Sequence, residues 1–264
     1  METGPGHRGI QAAFFDLDKT LMAGSSGMQF AKAARERGLI SRTQILRWGR
    51  DHLRYRIKGA TDDETNEILK VARETLSGVS YAEISRMWPE VLAGILPRIY
   101  PEVLTEVHRH QDEGRLTFIV SAAGSDMVES LAQVLGMDGG IGTRYVVEEG
   151  AYTGALDGPF VYGRGKVKAI TALSAERARS GEPAIDLAGS WAYSDSASDL
   201  PMMKLVGNAV AVNPDAPLLE EARREGWQVM RFERLGRNLA IGSTLAVALL
   251  VGGLGSWISR KRTG

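Results

Sequence analysis

The stretch Gln11-Ala12-Ala13-Phe14-Phe15-Asp16-Leu17-Asp18 places two carboxylates two residues apart at the end of an apolar run. Gln11 to Phe15 predict a buried strand of a parallel sheet, the kind of sheet whose strands are covered on both faces. In open sheets of that kind ligands sit just beyond the carboxyl ends of the strands, which is where Asp16 and Asp18 fall. An extended i, i+2 pair points both side chains the same way, so the two acids can reach one substrate from one side. Two acids buried together are costly, and a divalent cation is the simplest remedy. Aspartates at strand ends also form turns, so this string alone does not fix a function.

Three further features follow in order. Leu116-Thr117-Phe118-Ile119-Val120 predicts a second strand that delivers Ser121 to its tip. The small residues Ala122-Ala123-Gly124 after it let backbone N–H groups approach an anion, and a hydroxyl among them makes a phosphate clamp. Gly163-Arg164-Gly165-Lys166 opens a helix through about Arg179, and a lysine there sets a compact ammonium against phosphate or a carboxylate. Ile185 to Tyr193 predict another strand, with Asp195 and Asp199 at its tip, and Asp199 is also placed to cap a helix from Leu200 to Val206. Asn208 to Val212, Pro214 to Gly226 and Trp227 to Phe232 continue as strand, helix and strand. The alternation predicts an α/β fold with a doubly wound parallel sheet.

These four parts together resemble the haloacid dehalogenase-like phosphohydrolases, whose pattern is DxDx(T/V)L, then Ser or Thr, then Lys, then paired acids. The resemblance spans Asp16 to Asp199. It implies a phosphomonoester phosphatase with Asp16 as nucleophile, forming an aspartyl-phosphate, and Asp18 as the acid and base. Ser121, Ala122, Lys166 and Thr20 would bind phosphate. Mg²⁺ would be held by Asp16, the Asp18 carbonyl and Asp195, with Asp199 supporting them. Within the family the chain is most similar to the phosphoserine phosphatase-like subfamily. It departs at Met22-Ala23-Gly24-Ser25-Ser26, where phosphoserine phosphatases carry an acid for the substrate ammonium.

Between the first strand and the rest of the sheet, Met22 to about Pro101 show apolar residues at helical spacing, as in Phe30, Ala33, Ala34 and then Ile45, Trp48, His52, Tyr55. Roughly four helices are expected, with Ser41 as an N-cap and Thr61 with Glu64 as a capping box. Such an insert resembles the C1-type cap of the family. The expected organisation is a loose tail over 1–9, a catalytic core from 10–21 and 102–233, and a helical insert over 22–101. The insert is basic at first, with nine Lys and Arg from Lys32 to Lys58 against Glu36 and Asp51. That surface is either a solvated face or an attractor for phosphate or anionic lipid. Met137 to Tyr162 are rich in turns, and a hairpin is expected from Tyr145-Val146-Val147 and Ala151-Tyr152-Thr153.

Composition excludes several classes. Lys+Arg 32 balance Asp+Glu 32, which leaves no basic excess for a nucleic acid partner. Cys is 0, so disulfides and thiolate metal sites are out, and the hard acids favour Mg²⁺ over zinc. The first nine residues hold no apolar core of a secretory signal, so the catalytic part is expected in the cytoplasm.

The tail differs from the rest. Leu239 to Ile258 carry no charge over twenty residues and are flanked by Arg231, Arg234, Arg237 and by Arg260, Lys261, Arg262. Twenty residues just span a bilayer, so a single C-terminal transmembrane or membrane-associated helix is expected, against the alternative of a packed helix. Gly242/Ala246 and Ala248/Gly252 stack small residues that would let two copies associate as a homo-oligomer. Three functions follow: a phosphatase for a small phosphorylated metabolite, a membrane-tethered phosphatase for a lipid phosphate such as lysophosphatidate, or a non-catalytic tethered binding protein. Each apolar side chain at bilayer depth contributes only ~0.3 to 0.6 kcal/mol, whereas a central arginine costs about 2.5 to 3.5 kcal/mol. Leu249→Arg is therefore expected to release the protein from membranes, and release of the unsubstituted chain by alkaline, high-salt washing would sink the anchor.

Overall fold

The computed structural model describes residues 9–38 and 76–232. The tail 1–8, much of the insert (39–75, with Ser41, Thr61 and Glu64) and the apolar segment 239–258 lie outside the described residues. Among the described residues no helix is long and apolar enough to cross a membrane. The chain divides into two units, 1–230 and 231–264.

Six strands form one sheet. In chain order they are β1 (Ala12–Phe15), β2 (Leu116–Gly124), β3 (Gly139–Thr143), β6 (Trp191–Ser194), β7 (Asn208–Val212) and β8 (Gln228–Met230), with β4 (Tyr145–Glu148) and β5 (Ala151–Leu156) paired as a separate hairpin. The spatial order is β3-β2-β1-β6-β7-β8, all parallel. The chain thus winds outward from β1 in one direction and then in the other, and the reversal leaves a crevice beside the carboxyl end of β1. Among the described residues the α-helices are α1 (Ser26–Glu36), α2 (Tyr81–Ser85), α3 (Trp88–Ile95), α4 (Pro101–Asp112), α5 (Ser125–Val134), α6 (Arg164–Arg179), α7 (Leu200–Met203) and α8 (Ala216–Glu225).

The β1 run is apolar throughout because both faces are covered: Ala12 to Phe15 are all 0% exposed. Phe14 stacks on Phe118 at 5.8 Å and lies in a cluster with Ile170 of α6, Met202 and Met203 of α7, and Leu218 and Ala222 of α8. Phe15 points to the opposite face, where it stacks on Tyr193 at 4.4 Å and meets the edge of His110 from α4. Burying such a side chain is worth about 1.5 to 3 kcal/mol, so β1 and β6 are fixed from both sides just before their catalytic tips.

The insert leaves and re-enters at one point. Tyr100 N–H donates to Leu21 O at 3.0 Å and Ala23 N–H to Arg98 O at 2.8 Å. Inside it, α1 and α3 pack through Phe30 and Trp88, with ring centres 6.0 Å apart. The segment before α2 joins the hairpin: Gly78 and Tyr81 donate to Tyr152 O and Gly150 O, and Tyr152 donates back to Val79 O.

Four local expectations are corrected. Gly139–Thr143 is a sheet strand where only turns and a hairpin were expected; its glycines fit because a side chain at Gly140 would strike the backbone of α5 within 2.5 Å. Ile185 to Ser190 do not extend β6: Ile185 makes one bridge to Ile10, and the chain turns through Ser190 before β6 starts at Trp191. β2 runs on through Ser121 to Gly124 rather than ending before it. The helix after Asp199 stops at Met203, and the Asp199 side chain makes no capping bond to it; its Oδ2 accepts from Lys166 instead.

His110 shows what the covered face costs. Its ring is fully buried, with Nε2 2.9 Å from Tyr193 Oη and Nδ1 3.2 Å from Arg115. Burial, then the charges of Arg109 and Arg115, push its pKa down to about 4, against the pull of Glu106 and Glu113. The folded state therefore binds fewer protons than the unfolded one below the ordinary value of about 6.5, so stability is lost as pH falls through that window. Urea unfolding is expected to show about 3 kcal/mol less stability near pH 4 from this group, and His110→Gln to flatten that slope; equal slopes in both proteins would rule it out.

Candidate active site

The sequence-predicted residues converge at the carboxyl ends of β1, β2 and β6 and at the start of α6. Asp16 follows β1 directly, and its N–H donates to Tyr193 O at 3.0 Å, so the two strand tips are tied together. Lys166 Nζ lies 2.6 Å from Asp16 Oδ1 and 2.7 Å from Asp199 Oδ2. Lys166 is 2% exposed and Asp199 2%, so this is a buried pair of ion pairs. Lys166 reaches so far in because the first turn of α6 presses on the preceding loop. A Cβ at Gly165 would sit 1.7 Å from Phe160 O, and Gly163 has φ +51, so glycines are required at both positions.

Asp195 lies beside them and accepts from Thr20 Oγ1 at 3.5 Å. Asp199 Oδ2 also accepts from Ser194 at 2.7 Å, while its Oδ1 is buried with no hydrogen-bond partner. Burial raises the pKa of Asp16, and Asp199 adds to this against the pull of Lys166. Burial and the Asp16 charge likewise raise that of Asp195. Burial opposes the charge on Lys166, yet Asp16 and Asp199 together hold its pKa above the ordinary value. Three buried acids thus face the Lys166 ammonium and the Lys19 charge that pulls on Asp195, a negative excess of the kind that a hard divalent cation offsets. Among the described residues no three His, Cys, Asp or Glu side chains form a ligand set by themselves. Two carboxylates, a backbone carbonyl and water are a donor set that magnesium commonly takes, and the residues present fit it.

Asp18 stands apart from that cluster. The strand ends at Phe15, so the two acids sit on a loop, in which Lys19 adopts φ +62. Asp18 Oδ1 accepts from Ser26 N–H at 2.8 Å and Oδ2 from Ser25 Oγ at 3.1 Å, which fastens it to the N-terminus of α1. Ser121 Oγ accepts from Ala123 N–H at 3.2 Å, and Ala122 O accepts from Thr143 at 2.9 Å. Ser121 and Ala122 line a cleft with Asp18. Sequence reasoning missed Ser25, Ser26 and Ser194 as partners of the acids. Position beside Asp195 was a signal for Ser194; for Ser25 and Ser26 only contact with Asp18 distinguishes them.

A parallel sheet that reverses beside β1, with two ion-paired acids and an acid-bound lysine at the reversal, defines a hydrolase of the haloacid dehalogenase-like type. The chain belongs to that family, whose model, described as haloacid dehalogenase-like hydrolase, matches residues 13–204. It is 36% identical over 88% of its length to a probable phosphatase of Mycobacterium tuberculosis, covering 78% of that protein. It is 31% identical over 96% of its length to a phosphoserine phosphatase of the same organism, covering 81% of it. A protein of unknown function from Bordetella pertussis has the same fold, with TM-score 0.71 and 27% identity over 84% of this chain and 98% of that one. The chain is a phosphatase of the phosphoserine phosphatase-like branch.

Replacing Lys166 removes one partner of two buried pairs. Lys166→Met is expected to lower unfolding stability by about 3 to 5 kcal/mol in chelator at about pH 8, with partial recovery in the double variant Lys166→Met/Asp199→Asn. A loss under about 1 kcal/mol in urea titration would show that the ammonium does not hold these acids together.

Proposed function

We propose that the chain is a Mg²⁺-dependent phosphatase for a small phosphomonoester, acting through an aspartyl-phosphate on Asp16. The observation that carries this reading is the placement of Asp16 against Lys166, with Asp199 on the other side of the same ammonium. Lys166 pulls against the burial that raises the Asp16 pKa, and so favours the ionised, nucleophilic form. A carboxylate oxygen of Asp16 attacks phosphorus, and the bond from phosphorus to the leaving oxygen breaks. Asp18 gives its proton to that oxygen, then accepts one from the water that attacks the phosphoenzyme and releases phosphate. Ser121 and the N–H groups around Ala122 hold the phosphoryl oxygens, together with Lys166 and Thr20. When bound, Mg²⁺ held by Asp16, the Asp18 carbonyl and Asp195, with Asp199 in support, would offset the negative charge of acids and phosphate.

The insert over 22–101 is assigned as a cap on the core of 10–21 and 102–233, since its two ends meet at Leu21 and Tyr100. Phosphoserine itself has little support. Where an acid for its ammonium would lie the chain has Ser25, whose hydroxyl donates to Asp18, and Ser26, whose backbone N–H does the same.

Phosphate release from p-nitrophenyl phosphate is expected to require Mg²⁺ and to vanish in Asp16→Asn. Asp18→Asn keeps the nucleophile and loses a proton carrier worth about 10²–10⁴-fold, so turnover slows while phosphoenzyme accumulates. Near-parental turnover in Asp16→Asn would remove the assignment.

A further inference from the structure

The cleft that opens from Asp18 and Ser121 has a volume of about 700 Å³, in the upper part of the roughly 300–1,000 Å³ spanned by small-molecule sites. The rings on its described walls come from three places. The insert gives Phe30, Tyr81 and Trp88, the hairpin gives Tyr145 and Tyr152, and the loop before α6 gives Phe160. The rings are organised into two groups: Phe30 and Trp88 lie 6.0 Å apart, and Tyr152 lies 5.8 Å from Tyr81 and 6.2 Å from Tyr145. Three apolar side chains lining the cleft remain well exposed, Met28 at 50%, Tyr81 at 40% and Val147 at 39%. Apolar surface that is left open beside a catalytic site has no structural return within the chain and gains only when a ligand covers it.

The charges on the same walls point the same way. Among the described residues they are Asp18, Asp126, Asp157 and Arg144, and Arg144 is paired with Asp157 at 3.4 Å. A carboxylate on the leaving group would meet acids rather than a free guanidinium there. A serine leaving group would also fill little of the space and touch few of the rings.

We propose that this cleft receives an apolar, uncharged leaving group, so that the substrate is a phosphomonoester of a hydrophobic alcohol rather than phosphoserine. This rests on the phosphatase reading above and specifies its substrate class. The shared chemistry is burial of hydrocarbon against the six rings; an aromatic body and an alkyl chain are its two sources.

The test compares kcat/KM for three esters that all release a primary alcohol: 3-phenylpropyl phosphate, octyl phosphate below its micellar range, and O-phosphoserine. At about fourfold per buried methylene, either apolar ester is expected to exceed phosphoserine by tenfold or more. Preference for the phenyl ester assigns a ring to the cleft, and preference for the octyl ester assigns a chain. Tyr152→Ala and Trp88→Ala are each expected to lower the ratio of apolar ester to phosphoserine by about tenfold. That ratio is taken within one preparation, so loss of folded protein cancels. Phosphoserine turned over as well as or better than both apolar esters overturns the inference, as does a ratio unmoved by both variants. If Asp16-dependent phosphate release is absent even from p-nitrophenyl phosphate, the phosphatase reading fails and this one with it.

Discussion

The buried ammonium of Lys166, held between Asp16 and Asp199, is the contact around which the site is built. Without it Asp16 would be buried with no counter-charge beside it, and burial would raise its pKa further. The geometry that brings it there is drawn from distant parts of the chain. Asp16 comes from the end of β1, Asp199 from the turn after β6, and Lys166 from the first turn of α6. Gly165 admits that turn to within contact of Phe160 O. Asp195 draws on the charge of Lys19 instead, and Oδ1 of Asp199 is left without a hydrogen-bond partner.

What holds the acids in register lies one residue below them. Phe15 and Tyr193 immediately precede Asp16 and Ser194, and their rings stack at 4.4 Å with an interplanar angle of 15°. Tyr193 Oη donates to Glu106 at 2.9 Å and meets His110, so the stack is anchored by a polar network on α4. Arg115 covers the outer end of this network by lying 3.9 Å over the Trp191 ring. A shift of β1 against β6 would break the stack, this network and the Asp16 backbone bond together, which makes the spacing of the two strand tips stiff.

The parts of this arrangement that were legible in the sequence are those with a strong local signature. Unbroken apolar runs marked β1, β2 and β7, and the small residues around Lys166 marked the start of α6. β3 was not legible because its Gly-Gly-Ile-Gly-Thr has the composition of a turn, and it is a strand only because β2 supplies a neighbour and α5 tolerates no side chain at Gly140. The overlong reading of β6 had the opposite cause: Ile185 and Leu187 are apolar for packing, while Ser190 Oγ bonds Asp186 O and also accepts from Ala12 N–H, closing a turn against β1. Asp199 looked like a helix cap since an aspartate before Leu200-Pro201 fits that role. Only the tertiary approach of Lys166, thirty-three residues away in sequence, assigns its carboxylate otherwise.

Asp18 carries the link between chemistry and selection. Both its oxygens accept hydrogen bonds from Ser25 and Ser26 at the start of α1, and the next turn of that helix supplies Met28 and Phe30 to the cleft. On the proposed roles, the group that protonates the leaving oxygen is hydrogen-bonded to the helix end that forms part of the wall holding the leaving group. Displacement of α1 would then disturb the proton donor along with the pocket. An alcohol that packs well against α1 would hold the donor in line as it binds, whereas one that leaves the wall empty contributes nothing to that alignment. Binding energy from the remote part of the substrate is in this way available to the reacting centre, and selectivity would show in kcat as well as in KM.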